Sequence, residues 1–148
     1  MIAPKLLAQE VNNTLGAYVR VHDAIFAFSF RKLLPIPGLF EAIDYCAHEQ
    51  TLQGLAARLR DVSARQLPSA RPPSESQRAF LDALRNYAVA LEDTISRLAN
   101  ISASLCRKSK GEPGYQYDTY QEEVKAYDES VQKYVALGQQ LNNLYAGV

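Results

Sequence analysis

The sequence predicts an all-α protein, a four-helix bundle-like domain whose last two helices form a long antiparallel, coiled-coil-like hairpin. Apolar residues recur at steps of three and four along four long segments, as they do on one face of a helix. Proline and glycine cluster at a few places, so helices can run uninterrupted between them. The 148 residues are enough for one domain with a single core.

Three proline-bearing breaks set the predicted boundaries. They lie at residues 35–38, 67–73 and 110–114. Proline removes a backbone donor and forces the preceding residue out of helical geometry. The helices are therefore predicted at residues 4–34, 39–66, 74–108 and 118–146, with residues 67–73 as a proline-rich connector.

The first two predicted helices each carry one apolar stripe. The first contains Gly16, which costs about 1 kcal/mol against alanine in a helix. The stripe of the second thins near Glu49 and Gln50, which predicts a bend there. The stripe residues are Leu7, Val11, Leu15, Tyr18, His22, Ile25, Phe26, Phe30 and Leu33, then Leu39, Ile43, Cys46, Leu52, Leu55, Leu59 and Val62.

The third and fourth predicted helices have recognisable starts. Ser74 with Gln77 matches a capping box, and Thr119 with Glu122 matches a second one. The fourth helix holds a seven-residue apolar repeat, which favours a shallow crossing with a facing helix. A short loop makes the two helices antiparallel neighbours. The third is mainly basic and the fourth mainly acidic, so flanking ion pairs from residues such as Arg97 are expected between them.

Tyrosines mark the seam of the fourth helix. Tyr117, Tyr120, Tyr127 and Tyr134 share one face. A buried tyrosine hydroxyl needs a hydrogen-bond partner, so this ring type suits a half-wet seam or an interface. Two interpretations stay open: the rings pack on the third helix, or they bind a partner protein or a second copy. A small-ligand site is a third.

The segment from residue 25 to residue 40 is the most apolar part of the chain. Phe28 and Phe30 cannot both face the core that Ile25 defines, because residues advance by 100° around a helix. Another helix or a partner protein would cover the ring left outside. The alternative is insertion into a membrane interface, with Arg31 and Lys32 at the headgroups.

A few polar residues could support chemistry. Glu41, Asp44 and His48 lie on one face of the second helix, and His22 lies on the first. Carboxylate and imidazole groups can bind metal, which makes a small metalloprotein a weak alternative. The chain lacks the Glu-x-x-His motif of di-iron bundles, so we expect a core histidine, a surface pair and no cofactor.

Bulk features narrow the setting. Cys46 and Cys106 fall inside helical patterns, and buried free thiols are expected, with a disulfide as the alternative. No secretory leader or membrane span is visible, so the cytoplasm is the expected location. The formal net charge of zero does not favour nucleic acid as a partner.

These observations favour a non-enzymatic module for protein–protein interaction or scaffolding. The expected partner is another protein or a second copy of the chain, in a homo-oligomer or as a subunit or chaperone of a larger assembly. Peripheral membrane binding through residues 25–40 is the alternative function.

Overall fold

The computed structural model describes residues 4–31, 44–64 and 74–145, with the side chains of the first range described up to Phe26. These ranges contain four α-helices and no strand. The helices are α1 (Pro4–Arg31), α2 (Tyr45–Ala64), α3 (Glu75–Ser109) and α4 (Tyr117–Tyr145). The predicted all-α class is confirmed.

The start of α2 lies later than the sequence pattern predicts. Asp44 is not helical, and its carboxylate Oδ1 accepts a hydrogen bond from the Ala47 N–H at 3.0 Å. An aspartate in this role satisfies one of the free N–H groups of the first turn, so the helix begins at Tyr45 instead of residue 39. The helix then runs through Glu49 and Gln50 without interruption. Residues 39–43 and the connector 67–73 lie outside the described residues.

The two predicted capping boxes have different outcomes. At α3 the Gln77 N–H donates to Ser74 Oγ at 3.2 Å, and the Ser74 N–H donates to Gln77 Oε1 at 3.1 Å, which confirms the first. At α4 the Tyr120 N–H already bonds to the Gln116 carbonyl at 3.0 Å. Thr119 is therefore inside the helix, and the second predicted capping box is wrong.

A glycine-containing loop reverses the chain between α3 and α4. Gly111 and Gly114 have φ angles of 87° and 119°, a backbone region that side chains with a Cβ atom rarely adopt. The Glu112 N–H bonds to the Arg107 carbonyl at 3.1 Å, which closes the end of α3. These two glycines allow the sharp turn that folds α4 back onto α3.

Helix α3 lies at the centre and packs against the other three helices. Its pairing with α4 is antiparallel, because Phe80 meets Tyr145 at one end and Thr94 bonds to Ser130 further along. Its buried side chains lie on a broad face: Phe80, Leu84, Tyr87, Ala88, Ala90, Leu91, Thr94, Ile95, Leu98, Ala99, Ile101, Ser102 and Cys106. The antiparallel hairpin predicted from the heptad pattern is therefore present.

The hairpin interior contains one buried hydroxyl chain. The Ser130 hydroxyl donates to the Tyr127 carbonyl at 2.6 Å, and the Thr94 hydroxyl lies 3.0 Å from the Ser130 oxygen. Arg97 forms an ion pair within α3, whereas the sequence predicted a pair with α4. Its Nε bonds to Asp93 of α3 at 3.1 Å, because residues four apart on a helix are neighbours.

The side of the bundle between α1 and α4 is open at the level of the backbone. Helix α1 contacts α2 and α3, but among the described residues no Cα atom of α1 lies within 8 Å of a Cα atom of α4. The two helices run antiparallel, since Lys5 lies over Tyr145 and His22 bonds to Tyr127. Side chains alone connect them, and they do so along only part of their length.

Candidate functional site

An aromatic cluster joins the middle of α1 to the middle of α4. We define it as Tyr18, His22, Phe26, Tyr127 and Tyr134. The three α1 residues are spaced by four and the two α4 residues by seven, so each set lies on one helix face. These long rings span a gap that smaller side chains could not bridge.

The Tyr127 hydroxyl is the centre of the aromatic cluster. It lies 2.6 Å from His22 Nδ1 and also hydrogen-bonds to the Tyr18 hydroxyl. The Phe26 ring stacks on the Tyr127 ring at 5.7 Å between centroids, and Tyr134 meets Tyr18 edge-on at 6.1 Å. Tyr127 is fully buried, so its hydrogen bond to the buried Tyr18 is shielded from water.

With His22 neutral, both central hydroxyls are satisfied when Tyr127 donates its hydrogen to His22 Nδ1 and Tyr18 donates its hydrogen to the Tyr127 oxygen. Burial lowers the pKa of His22, while the carboxylates of Asp23 and Asp128 raise it by a smaller amount. Burial raises the pKa of Tyr18 and of Tyr127 far above the ordinary value for tyrosine. The aromatic cluster is therefore uncharged at neutral pH, and its side-chain contacts fix α1 to α4.

Beyond the aromatic cluster, no described residue fills the gap between α1 and α4. A cleft of about 500 Å³ opens between the N-terminal half of α1 and the C-terminal end of α4, with α3 as its floor. Its apolar lining comes from all three helices: Leu6, Ala8, Val11, Leu15, Phe80, Leu84, Tyr87, Leu141 and Tyr145. This volume falls in the range of pockets that bind ligands or anchor side chains of a partner.

Apart from its tyrosines, the cleft has polar side chains on α1 and α4. Gln9, Asn12 and Asn142 supply amides, and Lys5 is the only charged residue among the described ones in the lining. The Lys5 ammonium lies 5.6 Å from the centre of the Tyr145 ring, a cation–π distance. Among the described residues, no carboxylate forms a salt bridge with Lys5.

Gly138 helps to shape the cleft. A Cβ atom at this position would lie 3.1 Å from Cε2 of Tyr87. The absent side chain lets the Tyr87 ring of α3 settle against α4 and leaves the space beside it unfilled. A small residue between Tyr134 and Leu141 was the available signal of a gap, whereas nothing in the pattern marked Lys5, Gln9 or Asn12.

The predicted tyrosine seam divides into two parts. Tyr127 and Tyr134 are buried inside the chain, so a partner could reach them only by displacing α1. Tyr120 is half-buried, and Tyr117 is 67% exposed beside the hairpin loop. Only the first of the four tyrosines predicted to bind a partner therefore presents most of its surface to solvent.

The side chains predicted for the alternative function, membrane binding, cannot be placed. The side chains of Phe28, Phe30 and Arg31, and the whole of Lys32, lie outside the described residues. In residues 4–31, 44–64 and 74–145, no helix is long and apolar enough to cross a membrane.

The residues of the metal-binding alternative do not form a metal site in the described part of the chain. Glu41 lies outside the described residues, and Asp44 caps α2 through its side chain. His22 bonds to Tyr127, and His48 lies one turn into α2. Within the part of the chain that the structure describes, no three His, Cys, Asp or Glu side chains gather as a metal site would require.

The two cysteines form a disulfide, so the expectation of free thiols is wrong. Cys46 at the start of α2 bonds to Cys106 near the end of α3, with 4.9 Å between their Cα atoms. The antiparallel pairing of α2 and α3, also marked by the Arg60–Glu92 salt bridge at 3.6 Å, brings the two thiols together. Sequence spacing could not reveal this proximity, because it depends on which helices are neighbours.

Comparisons of the chain with models of protein families, with curated proteins and with solved structures give no match.

Proposed function

We propose that this protein is a non-enzymatic helical module that binds another protein through the open side between α1 and α4. The observation that carries this proposal is the cleft: in the described part of the chain, the four helices leave the side between α1 and α4 unclosed. Apolar residues line the floor, and Leu6 and Tyr145 at the edge are 55% and 45% exposed. An apolar pocket with a partly polar edge is the usual anchor of a protein interface.

The aromatic cluster has a structural role in this proposal. Tyr127 bonds to His22 and to Tyr18, and none of the three lines the cleft. They hold α1 at a distance from α4 that keeps the cleft open. A rigid, preformed site loses less conformational entropy when a partner binds.

The disulfide bears on where the module works. We infer an oxidising compartment in place of the cytoplasm that the sequence suggested, because structural disulfides form and persist under oxidising conditions. Mass spectrometry after alkylation of the protein from its native cell tests this inference. Recovery of both cysteines as alkylated thiols would contradict it.

A crosslinking experiment tests the binding proposal. We expect a photoreactive amino acid at Asn12, in the cleft, to form adducts with a specific protein in the native cell. The same group at Gln53, on the exposed face of α2, should form none. Equal adducts from both positions, or none from Asn12, would count against the proposal.

A matched pair of substitutions then tests the surface with the purified partner. Leu6→Asp changes an exposed leucine of the cleft, and Val89→Asp changes a valine of α3 that is equally exposed, at 54%, but does not line the cleft. We expect the Leu6 variant to weaken binding by about tenfold, since a charge replaces an apolar contact. The Val89 variant should bind as the unmodified protein does.

A further inference from the structure

We infer that the partner binds as an acidic amphipathic helix, with one row of apolar side chains in the cleft and a carboxylate paired with Lys5. This inference rests on the proposed function and names the chemistry of the partner at the same site. It follows from the size of the cleft, from the apolar surface around its mouth and from its charge.

The size of the cleft decides how a helix can bind. The cleft follows α1 from Lys5 to Leu15, which is about 16 Å or three turns. The cleft is therefore long enough for three turns of a helix that lies along it. Its volume of about 500 Å³ accommodates a row of side chains from that helix. The helix body would lie across the mouth, between α1 and α4.

The apolar surface at the mouth favours a helix over a small molecule. A small molecule seated on the floor at Phe80 and Leu84 would cover only the inner sides of Leu6 and Tyr145, which are 55% and 45% exposed in the free protein. A helix lying across the mouth would cover both while its inserted row fills the space above Phe80 and Leu84. This mode of binding, with anchors one turn apart, is common for helices in apolar grooves.

The charge of the cleft selects the sign of the partner. Among the described residues that line the cleft, Lys5 is the only charged one and none is acidic. Its ammonium is held over Tyr145 at the same end of the cleft that Leu6 borders. A carboxylate on the partner, one turn from an apolar anchor, meets this cation. A lysine at the same position on the partner would be repelled by the Lys5 ammonium.

Two synthetic peptides test the inference. Both are stapled helices of 14 residues with leucine at one turn spacing; one has glutamate beside the leucine row and the other has lysine at that position. We expect the glutamate peptide to bind about threefold to tenfold more tightly in fluorescence anisotropy, and this preference to shrink with added salt. With Lys5→Glu the lysine peptide should bind more tightly instead. Circular dichroism should show unchanged helix content, since Lys5 is exposed.

The possible failures are distinguishable. Equal binding of both peptides, unchanged by Lys5→Glu, would overturn the assignment of an acidic partner. Weaker peptide binding by the Leu6→Asp variant would in that case still support docking at the cleft. No binding of either peptide would overturn the helix assignment, and the crosslinking experiment alone would then judge the proposed function. A crosslinked dimer of this chain through Asn12, with light scattering at twice the monomer mass, would assign the cleft to a second copy and overturn the acidic-helix inference.

Discussion

Tyr127 connects more of the molecule than any of its neighbours in the aromatic cluster. Its hydroxyl bonds to both Tyr18 and His22 of α1, and its backbone carbonyl accepts the Ser130 hydroxyl. Its ring also stacks on Phe26. One residue of α4 therefore supplies a large share of the polar and aromatic contacts that hold α1 in place.

Tyr127→Phe removes this hydroxyl with little change in shape. We expect it to lower the free energy of unfolding by about 1–3 kcal/mol, because Tyr18 and His22 each lose a buried partner. Urea unfolding followed by circular dichroism measures the change. Tyr117→Phe is the matched control, since that ring is 67% exposed and its substitution should change stability by less than about 0.5 kcal/mol. Equal effects of the two variants would contradict the role given to Tyr127.

His22 makes stability depend on pH. Burial lowers its pKa in the folded protein, so below about pH 6.5 the unfolded chain binds more protons than the folded one. The free energy of unfolding should therefore fall as the pH drops from about 7.5 to 5.5. Thermal unfolding across this range measures the slope.

His22→Gln should reduce this slope, whereas His48→Gln on α2 serves as the control that keeps it. A slope that is the same in all three proteins would place its origin at other groups.

Among the helices, local signals and packing explain different features. Asp44 and Ser74 start α2 and α3 through their side chains, and Gly111 and Gly114 turn the chain between α3 and α4. The glycines inside helices have distinct settings. Gly16 of α1 has open space where a Cβ atom would lie, while Gly138 of α4 is in contact with Tyr87.

Alanine at these two positions should therefore have different effects. Gly16→Ala should raise the free energy of unfolding by about 0.5–1 kcal/mol, because alanine loses less entropy in a helix and meets nothing there. Gly138→Ala should gain less or destabilise, since Tyr87 must move away from the new methyl group. Chemical denaturation compares the two. A larger gain at Gly138 than at Gly16 would show that the contact with Tyr87 is easily relieved.

In the molecule as a whole, the contacts that hold the bundle together and the open cleft involve different pairs of helices. The Cys46–Cys106 disulfide and the long shared core fasten α2 to α3, and the hairpin fastens α4 to α3. Helix α1 contacts α2 and α3, and side chains connect it to α4 through the aromatic cluster and through Lys5 over Tyr145. The cleft therefore lies between two helices whose backbones do not pack against each other.

Removing the disulfide should destabilise the protein strongly. It joins residues 60 apart in sequence. Closing a loop of that size restricts the unfolded chain and raises the free energy of unfolding by about 4 kcal/mol in the chain-entropy account. We expect a reductant to lower the melting temperature, as measured by differential scanning calorimetry. The Cys46→Ala/Cys106→Ala protein should melt at the lower temperature with or without reductant. An unchanged melting temperature of the native chain under reduction would contradict this expectation.

Periodicity and breakers were enough to predict the four helices, the antiparallel hairpin and the capping box at Ser74. These features depend on residues close together in the chain, whose spacing sets one helix face or one turn. The same reasoning placed the start of α2 too early, since an apolar stripe does not show where Asp44 caps the helix. It also left open whether the tyrosine seam faces inward.

The disulfide, the aromatic cluster and the cleft needed the packed arrangement of the helices. Cys46 and Cys106, or His22 and Tyr127, are far apart in sequence, and 105 residues separate the latter pair. The gap between α1 and α4 exists because rings hold the two helices apart near their middles, while Gly138 leaves room closer to the C-terminal end of α4. Such features come from contacts between distant segments, and a spacing pattern along one segment carries no information about which partner it will meet.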